Sequence, residues 1–302
     1  LLLTELKHTF TEFAQRMKND EMITLAKFLA ISGIILPMLP HKNLIPDINL
    51  TPYSIWLATV VVSGISYLSY LLKRYVFHES GTLVSGIIGG LYSSTATISV
   101  LARKSRKASE LEATDYVAAM LLAVSMMFLR FMILILIFSR EIFLSIYPYL
   151  LTMAVVAAIV AWFIHSRQKR PEDQPAETEE DDSSNPLEFK VALIFAVLFV
   201  IFTFLTHYTL VYAGTGGLNL LSFVSGFSDI TPFILNLLQN TGSVAALIIT
   251  ACSMQAIISN IMVNMFYALF FAGKGSKLRP WILGGFGVVI ACNLVLLLFF
   301  YI

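Results

Sequence analysis

The chain has 302 residues, of which 57% are apolar and 13% are charged, and its formal net charge is +1. A soluble domain carries roughly a quarter charged residues, so this composition excludes an ordinary soluble protein and predicts a membrane protein. The net charge itself gives no indication of a partner. The composition makes the lipid bilayer the first expected partner, and no nucleic-acid partner is expected.

Apolar stretches long enough to cross a bilayer recur along the chain, and we expect an all-α polytopic membrane protein with about seven spanning helices. The predicted helices are residues 22–39, 53–72, 116–138, 143–164, 189–212, 244–272 and 281–302. Residues 1–20 precede them, with apolar side chains at mixed helical spacing and three bases. We expect residues 1–20 to be a surface helix or the tail of a missing upstream region.

Two further segments, residues 81–102 and 217–239, are apolar overall but are broken by small and polar residues. Each contains a Val-Ser-Gly tripeptide, beginning at Val84 and at Val224, beside a helix-breaking cluster. Lipid cannot satisfy exposed backbone groups, so a broken segment at membrane depth is buried in protein or lines a watery cavity. Two of them at matching places in two halves of a chain indicate a transport site.

Residues 166–187 predict a disordered, charged cytoplasmic linker, because three bases are followed by a run rich in acids, Pro and Ser. The linker divides the chain into two parts. Residues 21–165 hold an extra helix plus a first membrane repeat, and residues 188–302 hold a second membrane repeat.

The distribution of Lys and Arg distinguishes two topologies, because these residues accumulate on the cytoplasmic side. If every apolar segment spans, nine bases lie on one side and ten on the other, which is no bias. If both broken segments enter and leave on the same side, seventeen bases lie on one side and only Lys42 and Arg140 on the other. We therefore expect two re-entrant segments and a cytoplasmic N-terminus.

This topology makes the two halves inverted repeats, because the first broken segment then enters from the inside and the second from the outside. Opposed broken segments that meet near the midplane are found in many channels and secondary transporters. The alternative is two kinked helices that span the membrane, with parallel repeats.

Two ionisable residues lie deep in apolar segments, Asp229 and Arg130. A charge inside a membrane is costly and is a functional candidate by default. The simplest interpretation is that the two neutralise each other at the repeat interface, as a structural pair or as part of a substrate site. Arg130 lies ten residues before Arg140, as Asn264 does before Lys274, so we expect Asn264 to face Arg130 across the pseudo-symmetry axis.

Neutral polar residues surround these two positions in the predicted elements. They are Ser93, Ser94, Thr95 and Thr97 in the first broken segment, Ser225, Ser228, Thr231 and Asn236 in the second, and Gln255, Ser259, Asn260 and Asn264 along one helix. The last four follow helical spacing and form a polar stripe. Hydrogen bonding between helices is the alternative explanation, and for the Ser and Thr residues it is the stronger one.

The candidate substrate or ion site consists of Asp229, Arg130, Ser94, Thr95, Asn260, Asn264 and Ser228. Glycines that permit close backbone approach, or that serve only packing, are Gly86, Gly89, Gly90 and Gly226. One Asp opposite one Arg is a poor site for dehydrated Mg²⁺ or Ca²⁺. Na⁺, a proton, a small anion held by Arg130 and half-helix N-termini, or a neutral or zwitterionic solute all stay open.

Several stretches resemble a known membrane domain. They include 36–40 (Leu-Pro-Met-Leu-Pro), 85–97 (Ser-Gly-Ile-Ile-Gly-Gly-Leu-Tyr-Ser-Ser-Thr-Ala-Thr), 127–130 (Met-Phe-Leu-Arg) and 225–231 (Ser-Gly-Phe-Ser-Asp-Ile-Thr). They look like the membrane domain that follows an MgtC/SapB region in many bacterial proteins, domain of unknown function 4010. The resemblance implies a link to magnesium homeostasis. The family's last motif usually ends in Lys, and Asn264 stands there in this chain.

These patterns predict a transporter or channel for a small ion or solute in a bacterial or archaeal inner membrane. The alternative is a membrane regulator or scaffold that transports nothing and is linked to magnesium homeostasis. No intramembrane His accompanies the Ser-rich cluster, so an enzyme is not expected, and neither is a cofactor. A homodimer is left open. A polar stripe that lines a pore would favour transport, and one that faces lipid would favour the scaffold.

Overall fold

The computed structural model describes residues 19–46, 48–77, 81–106, 110–167, 189–239, 244–273 and 276–301. In these ranges the protein is helical, and eight helices are long and apolar enough to cross a membrane. The predicted class, an all-α polytopic membrane protein, is confirmed. The predicted tail at 1–18 and most of the predicted linker, 168–187, lie outside the described residues.

The helices have the following bounds in chain order. They are α1 (Asn19–Met38), α2 (Pro52–Leu71) with a π-helical continuation (Leu72–Val76), α3 (Thr82–Lys104), α4 (Glu110–Phe138), α5 (Arg140–Ser166), α6 (Phe189–Ser225), α7 (Ile230–Gln239), α8 (Ala246–Ala272) and α9 (Arg279–Tyr301). Because lipid offers no hydrogen-bond partners, apolar runs of this length satisfy their backbone groups internally as helices.

Local signals fix several helix starts. Thr51 caps α2, since its hydroxyl accepts from the Ser54 N–H at 3.0 Å while the Ser54 hydroxyl accepts from the Thr51 N–H, and Pro52 occupies the first turn. Ser139 caps α5 and is the only residue between α4 and α5. The two helices therefore form a tight antiparallel pair.

Helix α3 folds back on itself at Ser93, whose φ of −159° and ψ of 109° are not helical. A Cβ placed on Gly89 would lie 2.5 Å from Oγ1 of Thr97. Eight residues along a continuous helix are about 12 Å apart, so this contact requires two legs, 82–92 and 94–104, packed against each other. We call residues 82–104 the first hairpin and residues 92–95 its tip.

Both ends of the first hairpin lie at the start of α4. Its first leg runs parallel to α4, because Gly86 packs on Ala119 and Gly90 packs on Ala123, four residues further along each helix. The second leg returns from the tip and is joined to α4 by residues 105–109 alone. The first hairpin is therefore re-entrant.

Helix α6 also reverses, at Gly214, which has a φ of +60° and a ψ of −151°. Only glycine adopts this conformation readily. A Cβ placed on Gly217 would lie 2.8 Å from Cγ2 of Thr209, so residues 215–225 run back along residues 189–213. We call residues 215–239 the second hairpin, with legs 215–225 and 230–239 and a tip at 226–229.

The first leg of the second hairpin runs parallel to α8. Residue numbers rise together in three contacts between the two helices, as they do only for parallel helices. The contacts join Asn219 to Cys252, Phe223 to Ser259 and Gly226 to Asn260. After the tip, α7 ends at Gln239, and residues 240–245 must reach the start of α8. The seven Cα–Cα steps from Gln239 to Ala246 span at most about 25 Å, so α7 runs back toward that start.

The two hairpins enter from opposite faces. The Arg106 guanidinium, at the open end of the first hairpin, donates to the carbonyls of Phe270 and Phe271 at the end of α8. The second hairpin opens at the start of α8. The two hairpins are therefore inverted relative to each other, as predicted. Seven complete spans remain among the described residues: α1, α2, α4, α5, residues 189–213, α8 and α9.

The predicted boundaries need small corrections. Helix α4 begins at Glu110 rather than 116, and α5 begins at Arg140 rather than 143. The connection at 213–216 also differs from the prediction, because the helix predicted to end at 212 turns at Gly214 and continues directly as the first leg of the second hairpin, which begins at 215 rather than 217.

Candidate functional site

The two hairpin tips meet in one cavity of about 440 Å³. The first tip contributes Tyr92, Ser93, Ser94 and Thr95, and the second contributes Phe227, Ser228 and Asp229. The walls come from α2, α4, α6, α7 and α8. Its remaining lining residues are Val62, Ser63, Ser66, Gly90, Met127, Arg130, Phe131, Val191, Ile194, Phe195, Leu198, Ile230, Thr231, Asn260, Val263 and Tyr267.

Arg130 projects from α4 to the first tip and is 9% exposed. Its Nη1 donates to the carbonyl of Tyr92 at 2.6 Å. Tyr92 is the last residue of the first leg, where the helix dipole is negative and favours a cation. The buried Nε has no hydrogen-bond partner among the described residues.

Asp229 caps α7 from the second tip. Its Oδ1 accepts from the Thr231 N–H at 2.9 Å, which is an N-cap contact that also benefits from the positive end of the helix dipole. The rest of the side chain is exposed to the cavity.

The expected Arg130–Asp229 ion pair is not formed. Both residues lie in the described part of the chain, and no atoms of the two charged groups approach within 4.0 Å, although both line the cavity. The physical reason is local: each charge has its own backbone partner, the carbonyl of Tyr92 at the first tip for Arg130 and the N–H of Thr231 in the first turn of α7 for Asp229. The cavity therefore holds two opposite charges that face it separately.

The polar stripe of α8 lies inside the protein. Ser259, Asn260 and Asn264 are buried, and Gln255 is half-buried. Ser259 donates to the carbonyl of Phe223 at 2.7 Å, and Asn260 donates to the carbonyl of Gly226 at 3.2 Å. These contacts fasten α8 to the end of the first leg of the second hairpin.

In the second half, Asn260 rather than Asn264 binds a carbonyl at the hairpin tip. Arg130 binds the carbonyl of Tyr92 at the first tip, and Asn260 binds the carbonyl of Gly226, where the second tip begins. Asn264 does not line the cavity; its Nδ2 donates to Oδ1 of Asn260 at 3.1 Å, one turn away. Its own Oδ1 is buried without a partner among the described residues.

The remaining predicted site residues divide between cavity and packing. Ser94, Thr95 and Ser228 line the cavity together with Asp229, Arg130 and Asn260. The glycines serve close packing rather than a ligand: an added Cβ would lie 2.3 Å from the Ala119 carbonyl oxygen at Gly86, 2.5 Å from the Ala123 Cα at Gly90 and 2.3 Å from the Ser259 Cβ at Gly226. Gly89 packs inside the first hairpin, against Thr97. Small residues allow such backbone approach in membranes.

Sequence reasoning missed two groups of polar residues. Ser63 and Ser66 of α2 line the cavity, three residues apart on one helix face, which is the spacing that would have indicated them. Glu21 of α1 is 6% exposed and forms an ion pair with Arg74 at 2.7 Å, and the Tyr70 hydroxyl donates to the same carboxylate. The second group lies away from the cavity and anchors α1 to α2.

A metal cluster is absent from the described ranges, since no group of three or more His, Cys, Asp or Glu side chains there is arranged to hold an ion. The cavity offers one carboxylate, which is fewer than divalent Mg²⁺ or Ca²⁺ sites use. Its chemistry is that of hydroxyls, amides, one carboxylate and one guanidinium.

Comparison with known proteins places this architecture in a family. The sequence profile described as "Domain of unknown function (DUF4010)" matches residues 60–272, more than half of the chain. The chain belongs to this family. The DUF4010 match includes both hairpins and all cavity-lining residues, which fall between Val62 and Tyr267.

The chain is also similar in sequence to a relative over most of that relative's length. An "Uncharacterized protein" of Aquifex aeolicus (strain VF5) is 24% identical over 227 residues, which cover 73% of this chain and 96% of the relative. No solved structure matches this DUF4010 chain.

Proposed function

We propose that this protein is a transporter or channel for a small ion or solute in a bacterial or archaeal inner membrane. The observation that carries the proposal is the cavity between two opposed re-entrant tips, with Arg130 and Asp229 on its wall and not paired with each other. Broken helices that enter from opposite faces and meet at a polar site are the arrangement expected of transporters built from inverted repeats.

The energetics of the membrane support a functional cavity. Non-helical backbone at membrane depth is tolerated where protein covers it or where it lines a watery space. The first tip, the second tip and two ionisable side chains all lie at one such space. A purely structural role for the two charges would favour a direct pair, because each alone is costly.

The distribution of Lys and Arg indicates how the protein is oriented in the membrane. The face at which the first hairpin opens carries Lys73, Arg74, Arg103, Lys104 and Arg106, so we assign it to the cytoplasm, with the N-terminus on the same side. The cavity extends from the tips to Val191 near the start of α6 and to Tyr267 near the end of α8. In this orientation the cavity extends from the tips toward the cytoplasmic ends of α6 and α8.

The alternative is a regulator or scaffold linked to magnesium homeostasis, as the resemblance to MgtC/SapB-associated domains implies. A scaffold would present its polar stripe to a partner in the lipid, whereas the stripe of α8 is turned inward. The single carboxylate also disfavours bare Mg²⁺ as the substrate. The buried stripe favours transport.

The flux prediction is that purified protein in liposomes moves at least one of four probes: ²²Na⁺, protons, [¹⁴C]acetate or ³⁶Cl⁻. Asp229→Asn should reduce this flux to that of protein-free vesicles, because it removes the cavity's carboxylate while keeping an oxygen that caps α7. Glu141→Gln is the matched control, since it removes an exposed acid at the start of α5 and should leave the flux unchanged.

Equal reconstitution and gel-filtration profiles check the folding of all three proteins. Absence of flux for every probe in the wild-type protein would contradict the proposal. Rapid Mg²⁺ flux that persists in Asp229→Asn would contradict the coordination argument.

A further inference from the structure

The guanidinium of Arg130 has one edge without a protein partner. Nη1 donates one of its two N–H groups to the Tyr92 carbonyl, and Nη2 makes no hydrogen bond among the described residues, whereas Nε is itself buried out of reach of a ligand. A guanidinium cannot lose its charge in a protein, and the second N–H of Nη1 and an N–H of Nη2 point the same way as a fork. This fork matches the two oxygens of a carboxylate or of a planar oxyanion.

The charge of Arg130 is incompletely compensated by the protein. Its side chain is nine-tenths buried, and no carboxylate of the described chain lies within 4.0 Å of it. Asp229 is the other charged group that faces the cavity, and it lies on the opposite tip, where it already caps α7. A desolvated cation without a close counter-charge is costly, so the site favours an added negative charge.

A second feature at the same corner favours an anion. The second leg of the first hairpin has eleven residues and begins at Ser94, next to the carbonyl that Arg130 binds. The leading N–H groups of a helix lack partners within the helix and carry partial positive charge. The Ser93 hydroxyl accepts from the Ala96 N–H, and the tip residues Ser94 and Thr95 add hydroxyl donors on the cavity wall.

We propose that this corner of the cavity binds one small monovalent anion, a carboxylate or a planar oxyanion. The Nη1/Nη2 edge of Arg130 holds it, and the start of the second leg with the Ser94 and Thr95 hydroxyls completes the site. A second negative charge on the ligand would be repelled by Asp229 across the cavity. The proposal that an anion binds here depends only on the geometry of this corner of the cavity. The role of the anion as transported solute or counter-ion rests on the proposed function.

The test uses the full chain in detergent and acetate as the probe. Melting temperature is measured against sodium acetate at pH 7.5, with ionic strength kept constant by sodium sulfate. Wild-type protein should show a saturable increase. Arg130→Lys keeps the charge but loses the fork, so the half-saturating acetate concentration should increase at least about tenfold.

Two further variants separate binding from folding. Arg140→Lys is the matched control, because Arg140 is an exposed base outside the cavity, and it should titrate as the wild type does. Thr95→Val removes one hydroxyl of the site without removing charge and should weaken the acetate response. Choline acetate should act as sodium acetate does.

Identical titrations for wild type, Arg130→Lys and Arg140→Lys would overturn the site. A stabilisation that follows sodium rather than acetate would overturn it as well. Acetate binding without flux of any probe would contradict transport alone, and sodium flux without an acetate-dependent shift would contradict the anion site alone.

Discussion

Gly86→Val is expected to prevent the accumulation of folded protein. A Cβ at this position would lie 2.3 Å from the carbonyl oxygen and 2.8 Å from the carbonyl carbon of Ala119. Both atoms belong to the backbone of α4, so relief requires the whole first leg to move away. Overpacking of this kind costs about 1–3 kcal/mol even where side chains relax, and here the obstacle is a helix backbone.

The measurement is the yield of monodisperse protein on gel filtration after detergent extraction, together with its melting temperature. Gly64→Val in α2 is the matched control, because no heavy atom lies within 4 Å of a Cβ placed there. It should be recovered at the wild-type level. Equal recovery of the two variants would mean that the first leg does not lie against α4 as described.

Asn260→Leu is expected to cause a large loss of stability, and the loss should be larger than that of the double variant Asn260→Leu/Asn264→Leu. Asn260 donates to the Gly226 carbonyl and accepts from Asn264, and both amides are buried. The single change deprives Asn264 of the hydrogen bond its Nδ2 makes, and its Oδ1 already lacks a described partner. A buried polar group left unsatisfied costs about 1–3 kcal/mol, whereas replacing both partners by apolar groups removes that penalty.

Melting temperatures of the wild type, the two single variants and the double variant complete the cycle. Partial recovery in the double variant identifies the Asn260–Asn264 contact as a stabilising pair within α8, next to the contact of Asn260 with the second hairpin. Additive losses would show that each amide acts separately, and the pairing described for α8 would then be wrong.

The re-entrant hairpins were accessible to sequence reasoning because small and polar residues interrupt apolar segments at 81–102 and 217–239. The unequal distribution of Lys and Arg then distinguished the two topologies, because the count depends only on which loops lie on the same side of the membrane. The exact break was not predictable at Ser93, because Ser93, Ser94 and Thr95 are chemically alike and tertiary contact chooses among them. The reversal at Gly214 had a signal in the glycines at 214, 216 and 217, which was missed.

The site was predicted in composition but not in pairing. Six of the seven candidate ligands line the cavity, because deep charges and hydroxyls in broken segments have few other places to lie. The expected Arg130–Asp229 contact is not formed because each side chain binds a backbone group next to it, Tyr92 at the first tip and Thr231 in the first turn of α7. The sequence does not reveal which carbonyls and N–H groups a fold leaves free. The placement of Asn264 failed for the same reason, since the free carbonyl of Gly226 lies opposite Asn260.

The central claim is that the two hairpins enter from opposite faces and meet in one cavity. Single cysteines at Gly81, Lys104, Thr215 and Ala245, introduced after Cys252 and Cys292 are replaced by alanine, test it with a membrane-impermeant maleimide on cells and on inside-out vesicles. We expect Gly81 and Lys104, which flank the first hairpin, to be labelled from the cytoplasmic face only. We expect Thr215, at the start of the second hairpin, and Ala245, just before α8, to be labelled from the opposite face only. Labelling of Gly81 and Lys104 from opposite faces would make the first hairpin a spanning helix and would contradict the account.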